Sequence, residues 1–464
     1  MTRSPFDNDE FLYEFFEAVP MCVIIAMYAS SKMLRDRVAL YADQLRERVK
    51  RGALVPSRSA PPCYVVLQCR RREFFGVLAA GPRHSLATSR DGLLASFGHG
   101  SYGKLGNTVA NSSACPRLVR FFGSIRVVQV AAGGRHSCAL SASGRCFSWG
   151  ANDRCQLGLG KEAPGCVDSP QSVRCPDVVE IACGDEHTLF LAGDGTVRAC
   201  GSRKVAGLPN LDLEGEDACV ALPTTLPRLA DAGVFVSRIA ANGGHSLALD
   251  DRGRVYSWGK GDGGRLGHGD DQPKLEPTLV KALMREKILS IDCGAESSCA
   301  IAAPAVSVSK HHKKRPRKRF FWWGVENGLS YITDYLADDA WRRPTLCPGL
   351  LPPDEDADEA TATKSDIAFV ALGGGIAGAV VVNKGDGKAY QVNRDVASGR
   401  LRRRPLNLPR PCLAAACADH HFLCLLNDGS VVVAGCGNDG RLGLGEHVNS
   451  ATLPTAITTL PWLL

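Results

Sequence analysis

Apolar residues occur along this chain in short runs, and the runs come in threes. Val127–Ala132 is apolar and rich in β-branched residues, which reads as a buried strand. A glycine at 133 lets the chain turn, and His136–Ser141 follows as a second strand. Thr188–Ala192 and Ser246–Leu249 are second strands of the same kind. Leu189, Phe190 and Leu191 are apolar at successive positions, as are Leu247, Ala248 and Leu249. A strand covered on both faces belongs between stacked sheets. Asp91–Gly92, Asp194–Gly195 and Asp428–Gly429 read as hairpin turns, because Asp-Gly takes positive φ readily. Third strands are expected at Arg145–Trp149, Arg254–Trp258 and Ser430–Ala434.

The pattern repeats. His84, His136, His187, His245 and His421 each stand eight residues before a glycine: Gly92, Gly144, Gly195, Gly253 and Gly429. Six residues further stand Gly98, Gly150, Gly201, Gly259 and Gly435. Four copies continue to a Leu-Gly pair: Leu105–Gly106, Leu157–Gly158, Leu266–Gly267 and Leu442–Gly443. Two weaker copies bring the total to seven. Ser297 replaces the histidine in one, which ends at Trp323–Gly324; the other lies around Ile376. All-β units of about 50 residues, each a small antiparallel sheet, predict a seven-bladed β-propeller, whose ring closure removes free sheet edges.

The strings Gly133–Gly160 (GGRHSCALSASGRCFSWGANDRCQLGLG) and Gly244–Gly269 resemble the repeat of the regulator of chromosome condensation (RCC1) family, G-x-x-H-[ST] followed by DG and WG and closing on GQLG. The resemblance covers residues 75 to 464 and implies an RCC1-like propeller, expected over 71–464. Three units depart from the pattern. Unit three has Cys200–Gly201 in place of Trp-Gly and no Leu-Gly pair; unit six has lost both histidine and Trp-Gly. Unit five carries an insertion from Ala303 to Arg319, and the basic and acidic stretch as a whole runs over about 303–366.

Residues 1–70 lie outside the repeats. Leu34, Val38, Tyr41, Leu45 and Val49 follow helical spacing, and Phe11, Leu12, Phe15, Phe16 and Val19 form a second apolar face. An α-helical N-terminal extension is expected, docked on the propeller's own side, so a monomer is expected over a dimer. Cys63–Gln68 is strand-like and could close the last blade. No run of 18 apolar residues exists, so no membrane span is expected. The acid-rich N-terminus (Asp7, Asp9, Glu10) fits neither a secretory nor a mitochondrial leader. The expected location is therefore nuclear or cytoplasmic, not secreted. Nineteen cysteines then read as free thiols, mostly in apolar surroundings.

Charge is concentrated. Lys+Arg number 55 and Asp+Glu 48. Lys310, Lys313, Lys314, Arg315, Arg317, Lys318 and Arg319 account for the whole excess. This loop reads as a nuclear localisation signal read by an import receptor, or as a polyanion or chromatin contact. Asp354, Glu355, Asp356, Asp358 and Glu359 follow it and could shield it.

No catalytic constellation, metal site or cofactor is expected. The histidines recur once per unit, so they stand on separate blades and do not converge on one ion; a structural role follows for them and for Gly98, Gly150, Gly201, Gly259 and Gly435. Gly373, Gly375 and Gly378 spell the dinucleotide fingerprint, but β-rich Ala379–Val382 leaves no room for the helix it requires. The reading is a non-catalytic protein-interaction scaffold. The resemblance also implies two alternatives: guanine-nucleotide exchange on a small Ran-like GTPase without covalent catalysis, and a chromatin-associated regulator using the basic loop. Light sensing, known in a plant branch of the family, is set aside, because the chain has only six tryptophans and reads GPRHS and GGRHS at the matching strings.

Overall fold

A computed structural model describes residues 77–108, 111–209, 218–304, 317–325, 339–347, 366–374, 377–394 and 401–460. Their strands form seven four-stranded antiparallel sheets, each built from four consecutive strands. The sheets are the blades, spanning 78–118, 127–173, 178–225, 236–279, 288–346, 367–405 and 412–456.

Blade two shows why these residues take these places. Its strands are β1 (Val127–Ala132), β2 (His136–Ser141), β3 (Cys146–Ala151) and β4 (Cys166–Val173). β2 and β3 are buried at every position, because neighbouring blades cover both faces; this is the double burial the continuous apolar runs predicted. β4 is largely exposed, with only Val167, Pro170 and Val173 buried, as suits an outermost strand. First strands of successive blades touch, so they line the axis. Hairpins joining second to third strands lie on one face of the ring. Loops joining first to second and third to fourth strands lie on the other, here called the loop face.

The core lies between blades, not within them. Leu86, Phe122, Val130, Phe147 and Trp149 pack blade one on blade two. Leu78, Phe97, Leu423, Val433 and Leu442 pack blade one on blade seven and close the ring. All four strands of blade seven come from residues 412–456, so its sheet is complete without Cys63–Gln68. That segment and the expected N-terminal helices lie outside the described residues.

Two expectations change. The thiols are not all free: Cys155 and Cys219 form a disulfide joining blade two to blade three. Cys155 sits on a loop of blade two and Cys219 opens the outermost strand of blade three, a proximity that sequence spacing does not reveal. Unit three also keeps a glycine seat after all. A one-turn helix, Arg203–Ala206, ends at Gly207 with φ +84, two residues earlier than the usual spacing. Among the described residues no helix is long and apolar enough to cross a membrane.

Candidate functional site

The recurring polar residues stitch blades together. His84 Nε2 lies 2.8 Å from Ser137 Oγ, His136 2.8 Å from Thr188 Oγ1, His187 2.7 Å from Ser246 Oγ, His245 2.8 Å from Ser298 Oγ, and His421 2.7 Å from Ser85 Oγ. Each bond runs from one blade to the next. Ser137, Thr188, Ser298 and Ser85 donate their single proton to the carbonyls of Lys104, Gln156, Arg265 and Arg441. These hydroxyls therefore accept from the imidazole, which assigns the Nε2–H tautomer. Burial holds all five rings neutral. His136 and His421 are pushed down to about 3 and His187 to about 4, with His84 and His245 also well below the ordinary value. Their Nδ1 atoms are buried without a partner, so a second proton would be an orphan donor.

The five glycines that follow serve the same histidines. Gly98, Gly150, Gly201, Gly259 and Gly435 have φ between +106° and +122°. A Cβ there would stand 2.2–2.6 Å from the carbonyl of the residue before the histidine. The Leu-Gly glycines seat the next blade's tryptophan: a Cβ on Gly106 would lie 2.8 Å from Trp149 Nε1. Gly207 seats Trp258, and Gly158 faces the smaller Cys200 with Pro223 beside it.

The histidine series is interrupted between blades five, six and seven, where Ser297 and Ala379 take the histidine place. Asp292 spans the first gap, its carboxylate accepting from the Leu372 and Cys293 amides at 2.7 and 2.9 Å. Removal from water pushes its carboxyl up to about 6.

The nearest approach to a metal set among the described residues is His136, Cys138 and Cys183, within 4.8 Å of one another. His136 already holds Thr188, and burial raises the Cys183 thiol well above its ordinary range. These groups pack in the blade two–three core. Behind Gly378 the chain enters the strand Ala379–Asn383 directly.

The loop face carries the exposed chemistry. Asp185, Glu296 and Asp419 stand on the first-to-second-strand loops of blades three, five and seven. Asp419 is pushed up to about 6, by burial first and then by Asp185 and Glu296, against Arg441. Asp419 thus feels the carboxylates of two other blades. Arg265 and Arg441 flank them, with Arg265 Nη2 3.7 Å from Glu296. Sequence reading passed over these residues. They occupy the variable positions inside the fixed G-x-x-H frame, which is the signal that could have found them.

The basic insertion joins the second and third strands of blade five, Ser297–Ala302 and Arg319–Gly324. Lys310, Lys313, Lys314 and Arg315 fall outside the described residues, as does the acidic run 354–359. Arg317 is exposed. Lys318 donates to the Ile367 carbonyl and lies 3.5 Å from Asp366, tying the hairpin to blade six. Arg319 opens the third strand and forms a two-point pair with Glu286. Among the described cations of this run, Lys318 and Arg319 are thus engaged within the fold. A second basic stretch went unnoticed: Arg402, Arg403 and Arg404 are all exposed on the outermost strand of blade six, and the sequence signal is the LRRRP run itself.

Comparison with known proteins gives the frame a family. The RCC1-like domain family matches residues 49–300, more than half of the chain. Over 224 residues the chain is 37% identical to human "E3 ubiquitin-protein ligase HERC2", covering 47% of this chain and 4% of that protein. It is 32% identical to Arabidopsis thaliana "RCC1 domain-containing protein RUG3, mitochondrial", covering 48% and 51%. The chain thus spans about half or less of these relatives. Among solved structures, Prp20p from Saccharomyces cerevisiae, described with its binding to Gsp1p and histones, superposes with a TM-score of 0.61 at 21% identity, covering 84% of this chain and 89% of that one. Human WBSCR16 superposes with 0.58 at 21% identity, covering 75% and 86%. With seven sheets in a ring and a matching profile, the chain belongs to the RCC1-like domain family.

Proposed function

We propose that this propeller is a non-catalytic interaction scaffold that holds a protein partner on its loop face. One observation carries the reading: the recurring histidines, hydroxyls and tryptophans are spent on blade seams, while the residues that vary between blades are the charged ones on the loops. A rigid frame bearing variable loops is suited to recognition. The basic hairpin and the Arg402–Arg404 strand add a second contact surface for an import receptor or a polyanion, which fits a nuclear or cytoplasmic protein.

The test is affinity capture from cell extract with the full chain and two variants. One replaces Asp185 and Asp419 with Asn; the other replaces Lys313, Lys314 and Arg315 with Ala. The reading expects a stoichiometric partner that the first variant loses and the second keeps. A partner lost only with the hairpin charges would move the binding surface to the other face.

A further inference from the structure

The residue before each Leu-Gly pair occupies one recurring place on the loop face: Lys104, Gln156, Arg265 and Arg441. Three of these satisfy their side chains locally. Arg265 donates to the carbonyls of Asp262 (2.6 Å) and Ala295 (3.1 Å). Arg441 donates to the equivalent carbonyls of Asn438 (2.8 Å) and Pro82 (2.7 Å), and lies 3.3 Å from Asp439. Gln156 donates to Asp153 and accepts from the Arg154 amide. In each arginine one bond goes back three residues and one goes forward to the next blade's loop.

Lys104 breaks the series. It is only 1% exposed, the remaining solvent contact falls at the ammonium, and among the described residues that ammonium has neither a hydrogen-bond acceptor nor a carboxylate partner. Its surroundings are basic. Burial, then Arg83, Arg135 and Arg441, push its amine down to about 8, and Asp439 alone is close enough to oppose them markedly. That carboxylate is already paired with Arg441. Arg135 lies 3.6 Å from Asp153 and 5.4 Å from the ring centre of Tyr102, which is 45% exposed. Arg83 is exposed at the rim. A buried cation without a counter-charge is costly, and an arriving anion removes that cost.

We propose that Lys104, Arg83 and Arg135 form an oxyanion site that takes a carboxylate or phosphate group displayed by a protein partner. The inference rests on the scaffold reading for its partner, but its chemistry can be tested on the purified chain alone.

The decisive variants copy residues the protein already carries at this place, so both are compatible with the fold. Lys104→Arg keeps the charge but lets the guanidinium reach the Ser101 and Gly134 carbonyls, as Arg265 and Arg441 reach theirs. Lys104→Gln copies Gln156. Binding of a fluorescent oligo-glutamate peptide and of a phosphoserine peptide is followed by anisotropy at fixed ionic strength. Acetylation of Lys104 is measured by mass spectrometry with and without inorganic phosphate. The wild-type chain is expected to bind at least one peptide, and which one identifies the group. Phosphate should protect Lys104. Both variants should bind about tenfold more weakly, the loss of one charge-assisted hydrogen bond. Equal binding by Lys104→Arg would reduce the effect to general electrostatics and overturn the proposal, as would unprotected Lys104 or no binding by wild type. Peptide binding weakened in both variants while capture of the partner stays unchanged would show that the partner does not use this site, overturning the proposal and leaving the scaffold reading standing.

Discussion

Acid should open this ring, and the slope can be worked out in advance. Five buried histidines are held neutral in the folded protein, two at about 3 and one at about 4. The other two are also far depressed. In the unfolded chain each returns to about 6.5. The unfolded state therefore binds more protons, and stability falls as pH drops through 6.5 and on toward the folded values. From pH 7 to pH 5 His136, His421 and His187 each cost about 2 kcal/mol, about 6 kcal/mol together, and His84 and His245 add to the loss in the same direction. Two carboxyls act the other way. Asp292 and Asp419 are raised to about 6, so the folded state takes up their protons first and regains about 1 kcal/mol each over the same interval. His268, partly buried and also lowered, adds to the loss. The net fall from these valued groups is about 3–4 kcal/mol, deepened by His84 and His245, and is a large share of the stability of a typical domain. Urea unfolding followed by tryptophan fluorescence from pH 7.5 to 5 measures it. Near pH 5.5 the three valued rings contribute a slope of about 3.7 kcal/mol per pH unit, opposed by about 2 from the two carboxyls and reinforced by His84 and His245, and His187→Gln should lower the slope by about 1.2. A stability that is flat or rises on acidification would refute the neutral-histidine seam.

Other outcomes follow from single contacts. Gly106→Ala places a methyl against Trp149 at positive φ and should cost about 3 kcal/mol, whereas Gly233→Ala, at φ +62 with open space around it, should cost about 1 kcal/mol; thermal melts of the two compare them. Hydrogen exchange should show the second strands of blades five and six opening before those of blades one to four, because no histidine bond crosses their seams to the next blade. Ser297→His should not repair the first gap: Val380 stands at the acceptor place, so the buried N–H should cost about 1–3 kcal/mol, read by urea midpoint. Arg319→Ala should lower stability by about 1–3 kcal/mol through loss of the Glu286 pair, while leaving retention on heparin resin unchanged, since that cation is already committed.

The frame was legible because it is built from backbone demands. Gly98 and its counterparts must pass a carbonyl too close for any Cβ, so spacing alone exposed five units. Units three and six were harder to read for physical reasons. Gly207 does the work of a Leu-Gly glycine two residues early, behind a helical turn, and blade six fills the histidine place with Ala379. The loop face was not legible. Asp185 and Glu296 act on Asp419 only because the ring closes, and nothing local in the sequence links blades three, five and seven. Lys104 reads as one more surface lysine until Arg265 and Arg441 show what its place normally holds. The basic run was visible as charge, but the use of Lys318 and Arg319 at the seams depends on Asp366 and Glu286, which lie 48 and 33 residues away in the chain.

The claim that this ring works by holding a partner, not by driving a reaction on one, is tested most directly by nucleotide release. A panel of small GTPases loaded with fluorescent guanine nucleotide is mixed with the full chain at a hundredth of their concentration. The account predicts release at the intrinsic rate for every member. Accelerated release from any one of them, abolished by Asp185→Asn with Asp419→Asn, would contradict it and make the loop face an exchange surface.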